Sequence, residues 1–309
     1  MATLQTYSGL TNEQKTFYDR TLLDRLVPQL VYEQYGQKRS LPKNEGNTVN
    51  FRRFNSLAPA TTPLTEGTVP AGNTLNITTV AATVAQYGDF ITTSDLLDME
   101  GIDPVITDTQ QLFGEQAGNT IDQIVRDVVT AGTTVQYATG VASRSAITAA
   151  MVLSGTEIKK AVRTLRRNNA SPVEGKNYIG IIGPDAQYDL MSDAAWLAVS
   201  EYSNPGQLYD GEIGSLYGVR FVVTSNAKKF AGAGSGGADV FGTMILGQNA
   251  YGVVDVAGSS KPQSIVKPLG SSGSADPLNQ IASIGWKALF AAVRLNELAM
   301  VRIEHGASV

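Results

Sequence analysis

Between Arg53 and Asp89 the chain carries a single charged residue, Glu66. The stretch reads as two extended strands joined by a tip that Pro59, Pro63, Gly67, Pro70 and Gly72 keep irregular. The outgoing strand is Thr48–Phe54, and the return runs from Leu75 through Val80 and Val84 to Tyr87, both in β-favouring residues. A two-stranded ribbon is marginal alone in water, and long uncharged edges invite pairing with other chains unless charge, bulges or proline protect them. Something must cover this ribbon. Two coverings fit: another copy of the protein, or the chain's own core.

The 309 residues suffice for a large core and for one or two domains. Charged residues make up only 17% and the net charge is −4, which gives no electrostatic case for a dedicated nucleic-acid binder or a membrane-surface protein. A thinly charged surface suits an assembly subunit. There is no cysteine, which excludes disulfides, thiol catalysis and thiolate metal sites. Neither a signal-peptide pattern at Met1–Tyr7 nor an apolar run of membrane-spanning length occurs, so a cytoplasmic place of synthesis and no membrane partner are expected.

A helical arm comes first. Thr11-Asn12-Glu13-Gln14 has the form of a capping box, and Phe17, Leu22, Leu23, Leu26, Leu30 and Val31 make an apolar face bent at Pro28. Residues 37–47 read as a polar connection to the ribbon. The strongest helix spans Pro104–Ala131, with Asp103 as cap and Gly132 beyond its end. Its apolar residues, from Val105 through Leu112, Phe113, Ala117, Ile121 and Val125 to Val128, predict one buried face about 42 Å long, with Gly114 and Gly118 marking either close backbone packing or a bend. A second helix, Gly155–Asn168, concentrates Lys159, Lys160, Arg163, Arg166 and Arg167. That row is either a solvated face or a surface for a neighbouring subunit or nucleic acid. An α/β-like segment follows: strand Tyr178–Ile182, a helix from Asp185 to about Val199, then strands at Val219–Val223, Met244–Leu246 and Tyr251–Val256. Finally, Ile284–Val293 and Leu298–Ile303 read as an apolar strand pair, buried on both faces near the long helix.

The usual chemistry of enzymes is missing. Gly232-Ala233-Gly234-Ser235-Gly236-Gly237 has phosphate-loop spacing, but it lies between two strands and reads as a hairpin tip. His305, the only histidine, reads as a surface residue at a strand end, which leaves no histidine cluster for metal. Asp95 and Asp98 have no converging partner in the sequence. No catalytic residue, cofactor or metal site is expected.

The order of these parts, with Gly214–Ser225 and Ala288–Leu295 as the most specific local segments, resembles the major capsid protein of tailed bacteriophages, whose fold is shared with encapsulins and the herpesvirus capsid floor. The resemblance implies an α+β fold: residues 1–46 as N-terminal arm, 47–90 as extended E-loop hairpin, 91–150 with 270–309 as peripheral domain holding the spine helix, and 151–269 as axial domain. It implies a homo-oligomer of hexamers and pentamers, an icosahedral shell around double-stranded DNA without sequence-specific contacts, assembled in the host cytoplasm. Separate scaffolding, portal and decoration proteins are the further partners of such a head. Family members that weld their shells use an E-loop lysine, and no lysine occurs between Lys43 and Lys159, so this ribbon cannot make that bond. Some members also carry a long N-terminal scaffolding segment; the sequence begins directly with the arm, which implies a separate scaffold or none.

The intersubunit contact candidates are Leu26 on the arm, Phe51, Arg52, Arg53, Glu66, Leu75, Ile77 and Val80 on the ribbon, and Trp196. An encapsulin-type shell around protein cargo is the alternative with the same fold. A nucleotide-binding enzyme built on the Gly232–Gly237 turn is the alternative from another class.

Overall fold

The computed structural model describes residues 31–42, 44–69, 72–95, 105–193, 196, 214–256, 262–271 and 276–308. The arm helix, with Leu26, lies outside them, as do Asp103 and Pro104. Two sheets braced by one long helix, with a separate two-stranded ribbon rooted on the first of them, make up most of the described fold.

The long helix, α1 (Val105–Thr130), is unbroken through Gly114 and Gly118 and runs about 39 Å. Phe113, Ala117, Ile121, Val125 and Val129 form its buried stripe, while Leu112 is 61% exposed, contrary to its expected place on that face. The N-terminal half of the stripe packs on Ile284, Trp286 and Ala288, and the C-terminal half on Ile179, Ile181, Met244 and Leu246. One helix thus braces two sheets.

The first sheet is built around β13 (Ile281–Arg294), paired along one edge with β4 (Ala85–Ser94). Its other edge is shared by β12 (Gln263–Lys267) and β11 (Tyr251–Val256), and β1 (Gln37–Leu41) adds in parallel to β11. The segment holding β1 reads as a polar connection in sequence. Its side chains Lys38, Arg39 and Ser40 are solvated and only Leu41 is buried, so pairing with β11, not intrinsic propensity, makes it a strand.

The second sheet runs β5 (Val135–Tyr137), β14 (Met300–His305), β10 (Val240–Leu246), β6 (Tyr178–Ile182), β8 (Val219–Val223), β7 (Ser215–Leu216), with β9 (Lys228–Phe230) beside the start of β10. β6 and β8 are parallel, and α3 (Pro184–Met191) lies between them in sequence. This helix ends at a Ser192 cap, short of the expected Val199. On β6, Ile179 and Ile181 face α1, while Tyr178 and Ile182 face α2 (Gly155–Arg167) and α3. Apolar residues on both faces of β6 and β14 therefore mean burial on both sides.

The expected pairing of the last two strands is not found. β13 and β14 belong to different sheets, and a short turn at Glu297–Ala299 carries the chain from one to the other. Backbone pairing had to be chosen between partners distant in sequence, and β10 outcompetes β13 for β14.

His305 is wholly buried, which corrects its expected surface position. Residues 306–308 continue past the strand: Gly306 N–H donates to the Met151 carbonyl at 2.8 Å and Ser308 N–H to Asp189 at 3.1 Å. The imidazole Nδ1 lies 2.7 Å from the Gly306 carbonyl and so carries the proton, which leaves Nε2 to accept from the Thr243 hydroxyl at 2.9 Å. Burial pushes this imidazole below its ordinary range. The unfolded chain therefore takes up the proton first, near pH 6.5. Above that pH the stability is intact; as pH falls below it, the unassembled subunit should lose up to about 1.4 kcal/mol per pH unit. Denaturant midpoints at neutral and mildly acidic pH should show this loss, and His305→Gln should flatten it; equal slopes in both proteins would contradict the burial assignment.

A second buried polar group ties down the start of the described chain. Asp122 sits on the apolar stripe of α1, fully buried, and accepts the N–H groups of Val31 at 3.0 Å and Tyr32 at 2.9 Å and the Asn226 amide at 3.1 Å. Burial pushes its carboxyl up, partly offset by those donors. The Tyr251 hydroxyl also donates to the Tyr32 carbonyl. The segment at Val31 and Tyr32 is thus fixed beneath α1.

Candidate assembly interface

The ribbon consists of β2 (Thr48–Phe54) and β3 (Ile77–Thr83), paired antiparallel from Thr48↔Thr83 to Phe54↔Ile77. The return strand ends at Thr83; after Val84 the chain becomes β4 and enters the first sheet, so Tyr87 belongs to the body. Among the described residues β2 and β3 pair only with each other, and both outer edges are open. The chain's own core covers only the base of the ribbon among the described residues.

At its base the ribbon is held by its own subunit. Phe51 is buried with Leu41, Ala82, Val254 and Ala291. Its ring lies where a methyl on Gly252 would approach to 2.7 Å, so only glycine fits on β11 at that point. Phe51 is thus a root of the ribbon, and its burial needs no neighbour. Its cross-strand partner Val80 is half-buried.

Beyond the base no described residue of the subunit buries it. Phe54 is 66% exposed, Ile77 is half exposed, and at the tip Leu57, Leu64, Val69 and Leu75 all stand in solvent. Arg52 and Arg53 are exposed and line hollows at the ribbon base, the first with Asn169, Asn249 and Asn296, the second with Arg39. Among the described residues neither arginine, nor the exposed Glu66, is in an ion pair. Covering the four tip side chains would stabilise a contact by at most roughly 6–12 kcal/mol before any ordering cost, at 1.5–3 kcal/mol each. The ordering cost of a long tip is of the same order.

The other candidate, Trp196, is buried in the core between α2, α3 and the second sheet, with Leu190, Leu216 and Phe221. That placement explains it within one subunit. Leu26 lies outside the described residues. The sequence reading missed two apolar positions on the body: Phe90, 68% exposed on β4 and lying over Gly285, and Ile265, which pairs with Gly285 from β12. A glycine facing two large apolar side chains across neighbouring strands is the signal that was there to find.

Little here suits catalysis. The Gly232–Gly237 turn joins β9 to β10 as a hairpin, with Gly234 N–H donating to the Ala238 carbonyl at 2.8 Å, and no helix N-terminus follows it to hold a phosphate. Among the described residues no three His, Asp or Glu side chains converge as metal ligands, and no helix is long and apolar enough to cross a membrane.

A model of a phage capsid protein family matches residues 77–303, about three quarters of the sequence. The chain belongs to this phage capsid protein family. It is a structural component of a phage head, located in the virion capsid, and not an enzyme. Solved capsids share its fold at low identity. The capsid of cyanophage P-SCSP1u matches with a TM-score of 0.68 at 15% identity, over 91% of this chain and 89% of that one. The cyanophage Pam1 capsid gives 0.68 at 18% identity over 92% of each, and Mycobacterium phage Che8 gives 0.63 at 16% over 89% and 90%. No curated protein sequence matches.

Proposed function

We propose that this capsid protein tiles a closed icosahedral shell of hexamers and pentamers around double-stranded DNA, with the ribbon of each copy acting as an E-loop laid across its neighbour. The observation that carries the reading is the contrast within one ribbon: Phe51 buried at the base, four large apolar side chains exposed at the tip. A loop free to fold back on its own core would bury those residues there. A neighbouring copy offers Phe90 and Ile265 as apolar ground to receive them. Arg52, Arg53 and Glu66 then set register, because ion pairs at such a rim are worth only about 0–1 kcal/mol each. Residues 1–46 serve as the arm, 47–90 as the E-loop, 91–150 with 270–309 as the peripheral domain with α1 as its spine, and 151–269 as the axial domain, whose central strands β6, β8 and β10 take β5 and β14 from the peripheral part as sheet neighbours. Assembly takes place in the host cytoplasm, with separate scaffolding, portal and decoration proteins as the further partners.

Negative-stain electron microscopy of the purified protein at high concentration tests the reading. Closed shells, or regular hexamers and pentamers, are the expected result. A monodisperse monomer at every salt concentration would overturn it.

A further inference from the structure

The outer face of α2 carries a feature that the proposed ribbon contact does not use. Lys159, Arg163, Arg166 and Arg167 are all exposed, at steps of four, three and one residues, so they share one helix face about 12 Å long. With Val162 and Tyr217 they line an open groove of about 860 Å³. Among the described residues none of the four is in an ion pair. The only acid of the helix, Glu157, is buried and turned to Lys160 at 2.8 Å and to the Gln136 amide at 2.8 Å. On a chain of net charge −4, this is an undiluted positive face.

The floor of the groove is a strained turn. β7 and β8 are joined by Tyr217 and Gly218, with φ of 53° and 81°. Two positive φ values are what a type I′ hairpin turn demands, and Asn-Gly is the sequence that meets the demand cheaply. A bulky aromatic in the left-handed region is a costly choice. What it provides is a ring beneath the Lys159 ammonium, which lies 4.3 Å from the ring centroid and is thereby held in the groove. Arg166 lies against the same turn, 3.7 Å from where a Cβ on Gly218 would sit.

We propose that this groove binds the phosphate backbone of double-stranded DNA, a role that rests on the reading of the shell as a DNA container. Protein–protein contacts are anchored by apolar and aromatic side chains and are depleted in charge at their centre. This groove has one ring, already covered by a lysine, and four cations. A phosphate chain needs no apolar anchor, accepts the fork geometry of three guanidinium groups, and is held through its backbone without sequence reading. A second copy of this chain is the occupant the groove fits less well.

The test is a titration of the full-length, unassembled subunit with a labelled DNA duplex of about 20 base pairs across roughly 50–200 mM salt. Four phosphate contacts at about 0.9 each predict a log–log slope near −3.6, or about a hundredfold loss of affinity over that range. Arg163→Gln with Arg166→Gln should flatten the slope by about 1.8. Lys267→Gln with Lys287→Gln, the same charge change on the other sheet, should leave it nearly unchanged. Tyr217→Asn removes no charge, so it should keep the slope while weakening binding about two- to fivefold. If the first pair fails to fold, Lys159→Gln with Arg167→Gln makes the same change in charge. Equal effects of groove and control pairs, or no salt-dependent binding, would overturn the proposal. So would groove variants that bind DNA normally yet form no shells, which would assign the face to contacts between copies. Shells formed without DNA binding would overturn the groove and leave the container architecture standing.

Discussion

Removing Leu57–Asn73 is expected to yield a subunit that folds with its stability changed by no more than about 1 kcal/mol and that forms no shell. The excised residues lie beyond the last ladder pair, Phe54↔Ile77, and the described ones are exposed. The described backbone hydrogen bonds lost with them join residues of the tip to one another, Thr61 to Pro59 and Thr68 to Thr65. Phe51 and Gly252 stay in place, so the root of the ribbon survives. Shortening the loop slightly lowers its closure cost, which offsets whatever local order the tip had. Assembly is another matter: Leu57, Leu64 and Val69 are lost from the contact, and with them most of its apolar area. Chemical denaturation and microscopy of the same sample separate the two effects. A loss of several kcal/mol on deletion would mean that the tip belongs to its own subunit's core.

Replacing Glu304 with Ala should destabilise the subunit by about 3–5 kcal/mol. Its carboxylate is fully buried and accepts two parallel bonds from Arg144, Nε to Oε2 and Nη2 to Oε1, both 2.7 Å, and a third from Arg302 at 2.8 Å. Arg302 in turn donates to the carbonyls of Thr130 and Gly132, so it caps the C-terminus of α1 from another strand. The Arg144 guanidinium stacks 3.6 Å above Phe230 on β9. The carboxylate thus joins a helix end, two strands and a turn, and its loss strands two cations, one of them almost wholly buried. Arg144→Ala should cost less, because that side chain is one-third exposed and solvent replaces part of what is lost. Denaturant titration of the unassembled variants gives both values. A Glu304→Ala change within about 1 kcal/mol of the parent would show that the triad contributes specificity and little stability.

Much of this was legible in the sequence where the signal is local. The apolar period from Phe113 to Val128 and the glycine at 132 fixed α1 to within a residue or two, although the buried stripe ends on Val129 and not Val128, and the buried strands at Tyr178, Val219 and Tyr251 stand as read. The failures are non-local. β1 is polar and becomes a strand through β11; β14 leaves β13 for β10; His305 is buried because Thr243 and the chain after it close over it. Arg144 and Glu304 stand 160 residues apart, and no periodicity announces such a pair. At the candidate interface, the uncharged ribbon pointed to a missing partner, but Phe51 and Trp196 are buried inside the subunit. An apolar residue in a sequence does not say which core it fills. Only packing separates the root of the ribbon from its tip.

The ribbon tip is the point on which the account stands. A cryo-electron microscopy map of the assembled particle, at a resolution that traces the chain, shows directly what lies against Leu57, Leu64, Val69 and Leu75. The prediction is a closed shell in which these side chains are buried against a neighbouring copy while Phe51 remains in its own. A closed shell whose ribbon tips fold onto their own subunits, or stand free in solvent, would contradict it.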